Sequence, residues 1–138
     1  MTYILDTNTL SWLLRGDSQV ATRLTALRKT EVLVPQPVVA EIEYGLTRMP
    51  LSARQRRLRE RFDIFLEELG RAKWTDEVSR TFGRIKAQLE QHGQRLEDFD
   101  IAVAAHALAI GGTLVTEDIG HMGRVEGLSL ESWRQSAE

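Results

Sequence analysis

The chain contains no cysteine, which excludes disulfide frameworks, thiolate metal sites and cysteine nucleophiles together. Its three histidines, His92, His106 and His121, are scattered and form no His-x-x-x-His pair, so the usual zinc site lacks its ligands. No apolar run approaches the roughly 20 residues that a membrane span needs. No charged leader with an apolar centre and a small-residue cleavage site opens the sequence. These absences lead to the expectation of a soluble, cytoplasmic protein without a membrane partner, and leave oxygen ligands as the available metal chemistry.

The 138 residues, 42% of them hydrophobic, are enough for one compact domain over 1–138 and too few for two ordinary ones. The formal net charge of -2 does not exclude a nucleic-acid partner. Two bound divalent cations, as in two-metal sites, would move the total to about +2, so the sign alone is uninformative.

What is present is a set of four carboxylates where apolar segments end or turn. Asp6 follows Tyr3-Ile4-Leu5, Glu41 lies in a helix-like run, Asp100 precedes Ile101-Ala102-Val103-Ala104-Ala105, and Asp118 follows Leu114-Val115-Thr116. Assembling like charges costs about 4 kcal/mol for each pair at about 4 Å and an effective dielectric of about 20. Hard cations such as Mg2+ or Mn2+ would offset that repulsion, activate water and grip a phosphate. Magnesium keeps several waters, so some of the four would act through bound water.

Periodicity predicts an alternating plan. Tyr3 to Leu5 read as a buried strand, and Thr7 or Asn8 opens a helix carrying Leu10, Trp12, Leu13 and Leu14 that Gly16 ends. Asp17 or Ser18 caps a second helix through Leu24 and Leu27, before a strand at Val32-Leu33-Val34 closed by Pro35. Pro37 fits the first turn of a helix containing Glu41 and Gly45, and Met49-Pro50 breaks it. Ser52 caps an Arg-rich helix through Phe62, Phe65 and Leu69. A short strand is predicted over Ala72 to Trp74, and Thr75-Asp76-Glu77 opens a helix to Gln91, with Gly93 as its stop. A central, largely apolar helix runs from about Phe99 to Ile110, ended by Gly111-Gly112. Strands follow at Thr113 to Val115 and at the edge from Leu128 to Leu130, with Trp133 in a terminal turn. Such alternation implies an α/β fold, a parallel sheet with helices on both faces joined by right-handed crossovers. Ligands of such sheets gather beyond the carboxyl ends of the strands, where Asp6 and Asp118 fall.

The residues Asp6-Thr7-Asn8, Glu41-Ile42-Glu43-Tyr44-Gly45, Asp100 to Ala107, and Thr116-Glu117-Asp118 with Gly127-Leu128 and Trp133 resemble the PIN domain. More narrowly they resemble the VapC-type toxins of toxin–antitoxin pairs. The resemblance runs from Met1 to about Trp133, and its specificity lies in four short pieces in the right order and spacing. Two positions depart from the pattern: Met122 replaces a usual aromatic, and Asp118 fills a position often held by Asn.

The resemblance implies an acidic pocket of Asp6, Glu41, Asp100 and Asp118, binding Mg2+ or Mn2+, with Asn8 and Thr116 as hydrogen-bonding neighbours. It implies metal-dependent endonucleolytic cleavage of RNA, with in-line attack of water leaving a 5'-phosphate and a 3'-hydroxyl. It also implies homodimerisation and a VapB-type antitoxin that covers the region of Leu46 and Met49. Residue patterns alone leave alternatives. Asp6 and Asp118 also suit a helix cap and a turn, the helical wheel sets Glu41 and Glu43 on opposite flanks of one apolar stripe, and either Asp98 or Asp100 can cap the central helix. The match to the family selects Glu41 and Asp100. His106, on an Ala-rich helix, reads as a packed core histidine.

Arg48, Arg54, Arg56, Arg57, Arg59 and Arg61 form the one basic concentration. It reads either as a solvated helix face pairing weakly with Glu60 and Asp63 or as phosphate contacts. Two other functions use the same segments. A haloacid-dehalogenase-like phosphotransferase places Asp after its first strand, but a second Asp two residues on is replaced here by Asn8. A non-catalytic binding module would keep the fold with a degraded pocket, against which four intact acids argue.

Overall fold

The structure is a computed structural model and describes residues 1–134. Five parallel strands form its sheet: β1 (Tyr3–Leu5), β2 (Val32–Pro35), β3 (Gly70–Ala72), β4 (Thr113–Val115) and β5 (Ser129–Glu131), in the order β3-β2-β1-β4-β5. All three β1 side chains are buried, as a strand covered on both faces requires. The register pairs Ile4 with Leu33 on one side and with Leu114 on the other.

Seven α-helices connect the strands among the described residues. They are α1 (Thr7–Leu14), α2 (Ser18–Thr25), α3 (Gln36–Arg48), α4 (Ala53–Glu68), α5 (Asp76–Gln91), α6 (Asp98–Ala109) and the short α7 (Ile119–Met122). The chain builds outward from β1 to β2 and β3, then returns across the sheet to β4 and β5. With right-handed crossovers, that reversal distributes helices over both faces. It also opens a crevice beyond the carboxyl ends of β1 and β4.

Local chemistry explains most boundaries. Asp17 accepts from the backbone N–H groups of Gln19 and Val20, both at 3.0 Å, at the start of α2. Ser52 accepts from Gln55 N–H at 3.1 Å to begin α4, and Thr75 from Val78 N–H at 3.3 Å to begin α5. Each satisfies a backbone donor that a helix start leaves open. In α6 every residue from Ile101 to Ala107 is buried. Its alanines let α5 and the β1–β4 half of the sheet pack closely against it.

Several boundaries differ from the sequence reading. β3 occupies 70–72 rather than 72–74, because Gly70 lies opposite Leu33. A Cβ there would meet Leu33 Cδ2 at 2.7 Å, so the residue that looks like a strand breaker permits the pairing. α2 stops at Thr25, short of Leu27, and a 3-10 turn over Lys29–Glu31 leads into β2. β5 lies one residue later than expected, after Gly127 turns the chain at φ +81°, a region open to glycine without strain. Helix α7 was not anticipated. Trp133 is buried against Tyr3, ring centroids 5.8 Å apart, and Met122 is buried where the family pattern has an aromatic.

Phe62 is the largest fully buried side chain and the one wholly buried residue of the Arg-rich α4. Phe62→Ala should lower the free energy of unfolding by about 3–5 kcal/mol, measured by urea denaturation. A change below about 1 kcal/mol would mean that α4 is not anchored through this ring.

Candidate functional site

Asp6 is placed by the strand pairing itself. Its backbone N–H donates to Val115 O at 3.1 Å, extending the β1–β4 ladder beyond β1. Its carboxylate takes the helix-cap role that the residue pattern left open. One oxygen accepts from Thr9 N–H at 2.8 Å and caps α1, and the group also accepts from the Thr116 hydroxyl. Burial pushes the Asp6 carboxyl up from its ordinary value, against the opposing effect of these hydrogen bonds.

Thr116 is fully buried at the end of β4 and is shared between two acids. Its hydroxyl oxygen accepts from Asp118 N–H at 3.0 Å while the hydroxyl hydrogen-bonds Asp6. Asp118 caps α7: its Oδ1 accepts from His121 N–H at 3.2 Å and lies 2.8 Å from His121 Nδ1. The second Asp118 oxygen has no hydrogen bond among the described residues, so the turn role occupies half of the carboxylate.

Glu41 comes from the middle of α3 and is held by Thr7, whose hydroxyl donates to Oε1 at 2.7 Å. Its rival Glu43 faces α4 instead, gripped by Arg59 through two contacts of 2.8 Å. Asp100 sits in the first turn of α6, where the helix dipole favours negative charge. Its rival Asp98 is exposed and paired with Lys86 at 2.9 Å. Glu117 is also diverted, accepting from Trp12 Nε1 at 3.2 Å and lying 3.8 Å from Arg134, whose guanidinium stacks 3.6 Å from the Trp12 ring.

The electrostatics tie the four acids together. Asp100 is pushed above its ordinary value first by desolvation, then by the charges of Glu41, Asp118 and Asp6. Among the described residues no lysine or arginine pairs with Asp6, Glu41 or Asp100. The acids border a gap: no three Asp, Glu or His side chains among the described residues stand close enough to grip one ion directly. An all-oxygen set of this kind suits magnesium, which takes one or two carboxylates and keeps several waters. The fit to such an ion lies in the donor chemistry, carboxylate and hydroxyl oxygen, which hard divalent cations take.

Asp100 and Asp118 line a cleft of about 640 Å³ with Lys86, Arg95, His121 and Arg124. Glu41 lies instead at a groove of about 460 Å³ with Thr7, Asn8 and Leu46. Asn8 differs from expectation. It is exposed and makes no hydrogen bond to any of the four acids among the described residues, because the α1 turn directs it into this outer groove. Thr7 and His121 were missed as supporting residues. Neither carries a local signal, since one is an ordinary first-turn threonine and the other follows a turn. His106 is fully buried; its Nδ1 lies 2.7 Å from Ala102 O, and its ring meets Trp74 edge-on at 5.1 Å.

A family model described as the PIN domain matches residues 3–128, and the chain belongs to that family. It is 29% identical over 135 residues to "Ribonuclease VapC2" of Rickettsia felis, with 96% of this chain and 98% of the relative covered. It is also 29% identical over 132 residues to "Ribonuclease VapC2" of Haemophilus influenzae, with 95% and 97% covered. A chain in the crystal structure of VapBC2 from Rickettsia felis bound to a DNA fragment from their promoter superimposes with a TM-score of 0.87 at 29% identity. That match covers 97% of this chain and 100% of the other.

Because Asp100 binds its proton more tightly in the folded state than in the unfolded chain, its ionisation works against folding. Stability from this group falls as pH rises past the ordinary carboxylate value through the raised one. In EDTA, Asp100→Asn should therefore melt at a higher temperature than the parent at pH 7.5. The gain should shrink as the pH is lowered toward the carboxylate range. Thermal denaturation followed by circular dichroism measures both, and a variant less stable at pH 7.5 would contradict the crowding of charge described above.

Proposed function

We propose that this protein is a Mg2+- or Mn2+-dependent endoribonuclease, the toxin of a VapBC-type toxin–antitoxin pair, cutting single-stranded or loop RNA in the cytoplasm. The observation that carries the reading is the electrostatic grouping of Asp6, Glu41 and Asp118 about Asp100, with no lysine or arginine paired to any of the four among the described residues. Names and structures of the relatives support the biological class.

In this reading Asp6 and Asp100 hold the metal, with Glu41 and Asp118 completing the shell or orienting water. An ion held there would supply positive charge against the scissile phosphate and would lower the pKa of water toward about 7. The protein's own contribution is orientation. Thr116 fixes Asp6 relative to Asp118, and Thr7 fixes Glu41 as an acceptor for a water proton. Water attacks phosphorus in line, the bond to O3' breaks, and O3' takes a proton. The products are a 5'-phosphate and a 3'-hydroxyl.

The partner is a VapB-type antitoxin, for which the groove lined by Leu14, Leu46, Met49 and Leu58 offers apolar seats beside Glu41. A second copy of this chain completes the assembly as a homodimer. Among the described residues no helix is long and apolar enough to cross a membrane, which agrees with a cytoplasmic RNA substrate.

Asp6→Asn and Asp100→Asn should each lower the rate of RNA cleavage by on the order of 10²-fold or more, with the circular dichroism of the parent retained. EDTA should abolish cleavage and Mg2+ or Mn2+ restore it. Full activity in both variants, or activity indifferent to EDTA, would overturn the assignment. Expression should arrest growth, and co-expression of a small DNA-binding protein encoded beside this chain should relieve it. Labelling of Asp6 as a phosphoenzyme would instead support the phosphotransferase reading.

A further inference from the structure

The arginines of α4 fall into two groups. Arg59 turns toward α3 and Glu43, with Asp63 at 3.9 Å. Arg54, Arg57 and Arg61 recur at i, i+3 and i+7, one face of the helix, and span about 10 Å at 1.5 Å per residue. That face meets Arg15 at the end of α1 across a cleft of about 270 Å³, whose one apolar wall is Leu58. Among the described residues none of these four arginines pairs with a carboxylate. Of the weak pairs with Glu60 and Asp63 that would make a merely solvated face, the one present among the described residues is Arg59 with Asp63.

Crowding four unneutralised guanidinium groups around one cleft is unfavourable unless a polyanion occupies it. The cleft also leads somewhere. It shares Arg15, Arg54 and Leu58 with the groove that Glu41 borders, so the two adjoin along the way from Arg61 to Glu41. Beside that path Tyr44 is 66% exposed, with the Arg48 guanidinium 5.5 Å from its ring centroid. Regularly spaced arginines and an exposed aromatic ring match a single strand, whose phosphates repeat and whose bases all offer a stacking face. A protein segment would find Leu58 as the one apolar wall among the arginines; the apolar seats offered to the antitoxin lie further along, beside Glu41, where it would compete with the RNA.

We propose that the cleft between α1 and α4, continued past Tyr44 to Glu41, is the track that holds the single-stranded RNA backbone leading to the acidic centre. The inference rests on the nuclease reading for its direction and concerns residues that touch none of the four acids. Arg54 and Arg57 grip phosphates, Arg61 also ties the track to α1 through Leu14 O at 2.8 Å, and Tyr44 stacks on a base.

The test separates binding from cleavage. Full-length Asp100→Asn protein in EDTA is titrated into a short fluorescein-labelled single-stranded oligoribonucleotide, read by anisotropy from low to moderate salt. Adding Arg54→Ala with Arg57→Ala should weaken binding about tenfold at low salt and flatten the salt dependence by roughly 1.4, or 0.7 for each lost phosphate contact. Arg56→Ala, on the same helix but outside the cleft, should change affinity by less than about twofold. Tyr44→Ala should weaken binding where Tyr44→Phe does not. Equal losses in the Arg54/Arg57 and Arg56 variants, or no loss in the former, would overturn the track. So would an unchanged RNA affinity with lost binding of fluorescein-labelled polyglutamate, which would mark a protein-docking face. If the parent chain cleaves no RNA yet the binding losses appear, the track stands and the nuclease reading falls. If it cleaves RNA and the losses do not appear, the track alone falls.

Discussion

The parallel pairing of β1 with β4 is the constraint on which the site depends. These strands come from opposite ends of the chain, and their register brings Leu5 beside Val115. The ladder then runs one bond further, from Asp6 N–H to Val115 O, and the same carbonyl accepts the Thr9 hydroxyl at 3.1 Å. One carbonyl oxygen therefore anchors the start of α1 to the end of β4. Thr116, the next residue, is left buried between the Asp6 carboxylate and the Asp118 N–H. A slip of one residue in this pairing would move Asp6 to the other face of the strand and separate the two halves of the acidic centre.

The acids of that centre draw on dipoles rather than on lysine or arginine partners. Each acid has local dipolar support: Asp6 from the start of α1, Asp100 from the start of α6, Asp118 from α7, and Glu41 from the Thr7 hydroxyl. A helix start contributes about 0.3–1 kcal/mol to a nearby anion. Repulsion between two carboxylates at about 4 Å and an effective dielectric of about 20 is about 4 kcal/mol. Dipoles therefore orient these groups without offsetting contacts at such a distance, and the Asp100 carboxyl is raised first by burial and then by the charges of Glu41, Asp118 and Asp6. Asp98, Glu43 and Glu117 carry the same charge nearby, yet each has an arginine or lysine within 4 Å. Neutralised and unneutralised acids are sorted residue by residue.

That sorting marks the boundary of what the sequence discloses. The strand–helix alternation, the caps at Asp17, Ser52 and Thr75, and the placement of Asp6 and Asp118 beyond strand ends all follow from local patterns, because caps and buried runs are local chemistry. The choices between Glu41 and Glu43 and between Asp98 and Asp100 do not. They are made by Arg59, sixteen residues from Glu43, and Lys86, twelve from Asp98, which no helical wheel of the acid's own segment contains. β3 was misplaced for a similar reason. Gly70 reads as a breaker until Leu33 is set opposite it, and α7 is too short for periodicity to register. The support that Thr7 and His121 give to Glu41 and Asp118 arises only from tertiary contact or a single turn.

Helix α4 links the walls of the groove to the acidic centre. Arg59 fastens it to α3 through Glu43, one turn of helix from Glu41 in neither direction but on the opposite flank of the buried stripe formed by Val38, Ile42 and Leu46. Arg61 fastens it to the carbonyl of Leu14 at the end of α1, and Gln55 Nε2 donates to Leu46 O at 3.2 Å at the end of α3. The Arg59–Glu43 ion pair contributes about 0.2–1 kcal/mol and a hydrogen bond such as those to Leu14 O and Leu46 O about 0.5–1.5 kcal/mol, so each contact is individually modest. Their effect is geometric. With Phe62 buried beneath, α4 has little freedom to rotate, and α1 and α3 are tied to it from both sides. Thr7 on α1 and Glu41 on α3 meet across that same interface. The spacing of α1 and α3 thus bears on the width of the groove and on the Thr7–Glu41 hydrogen bond at once.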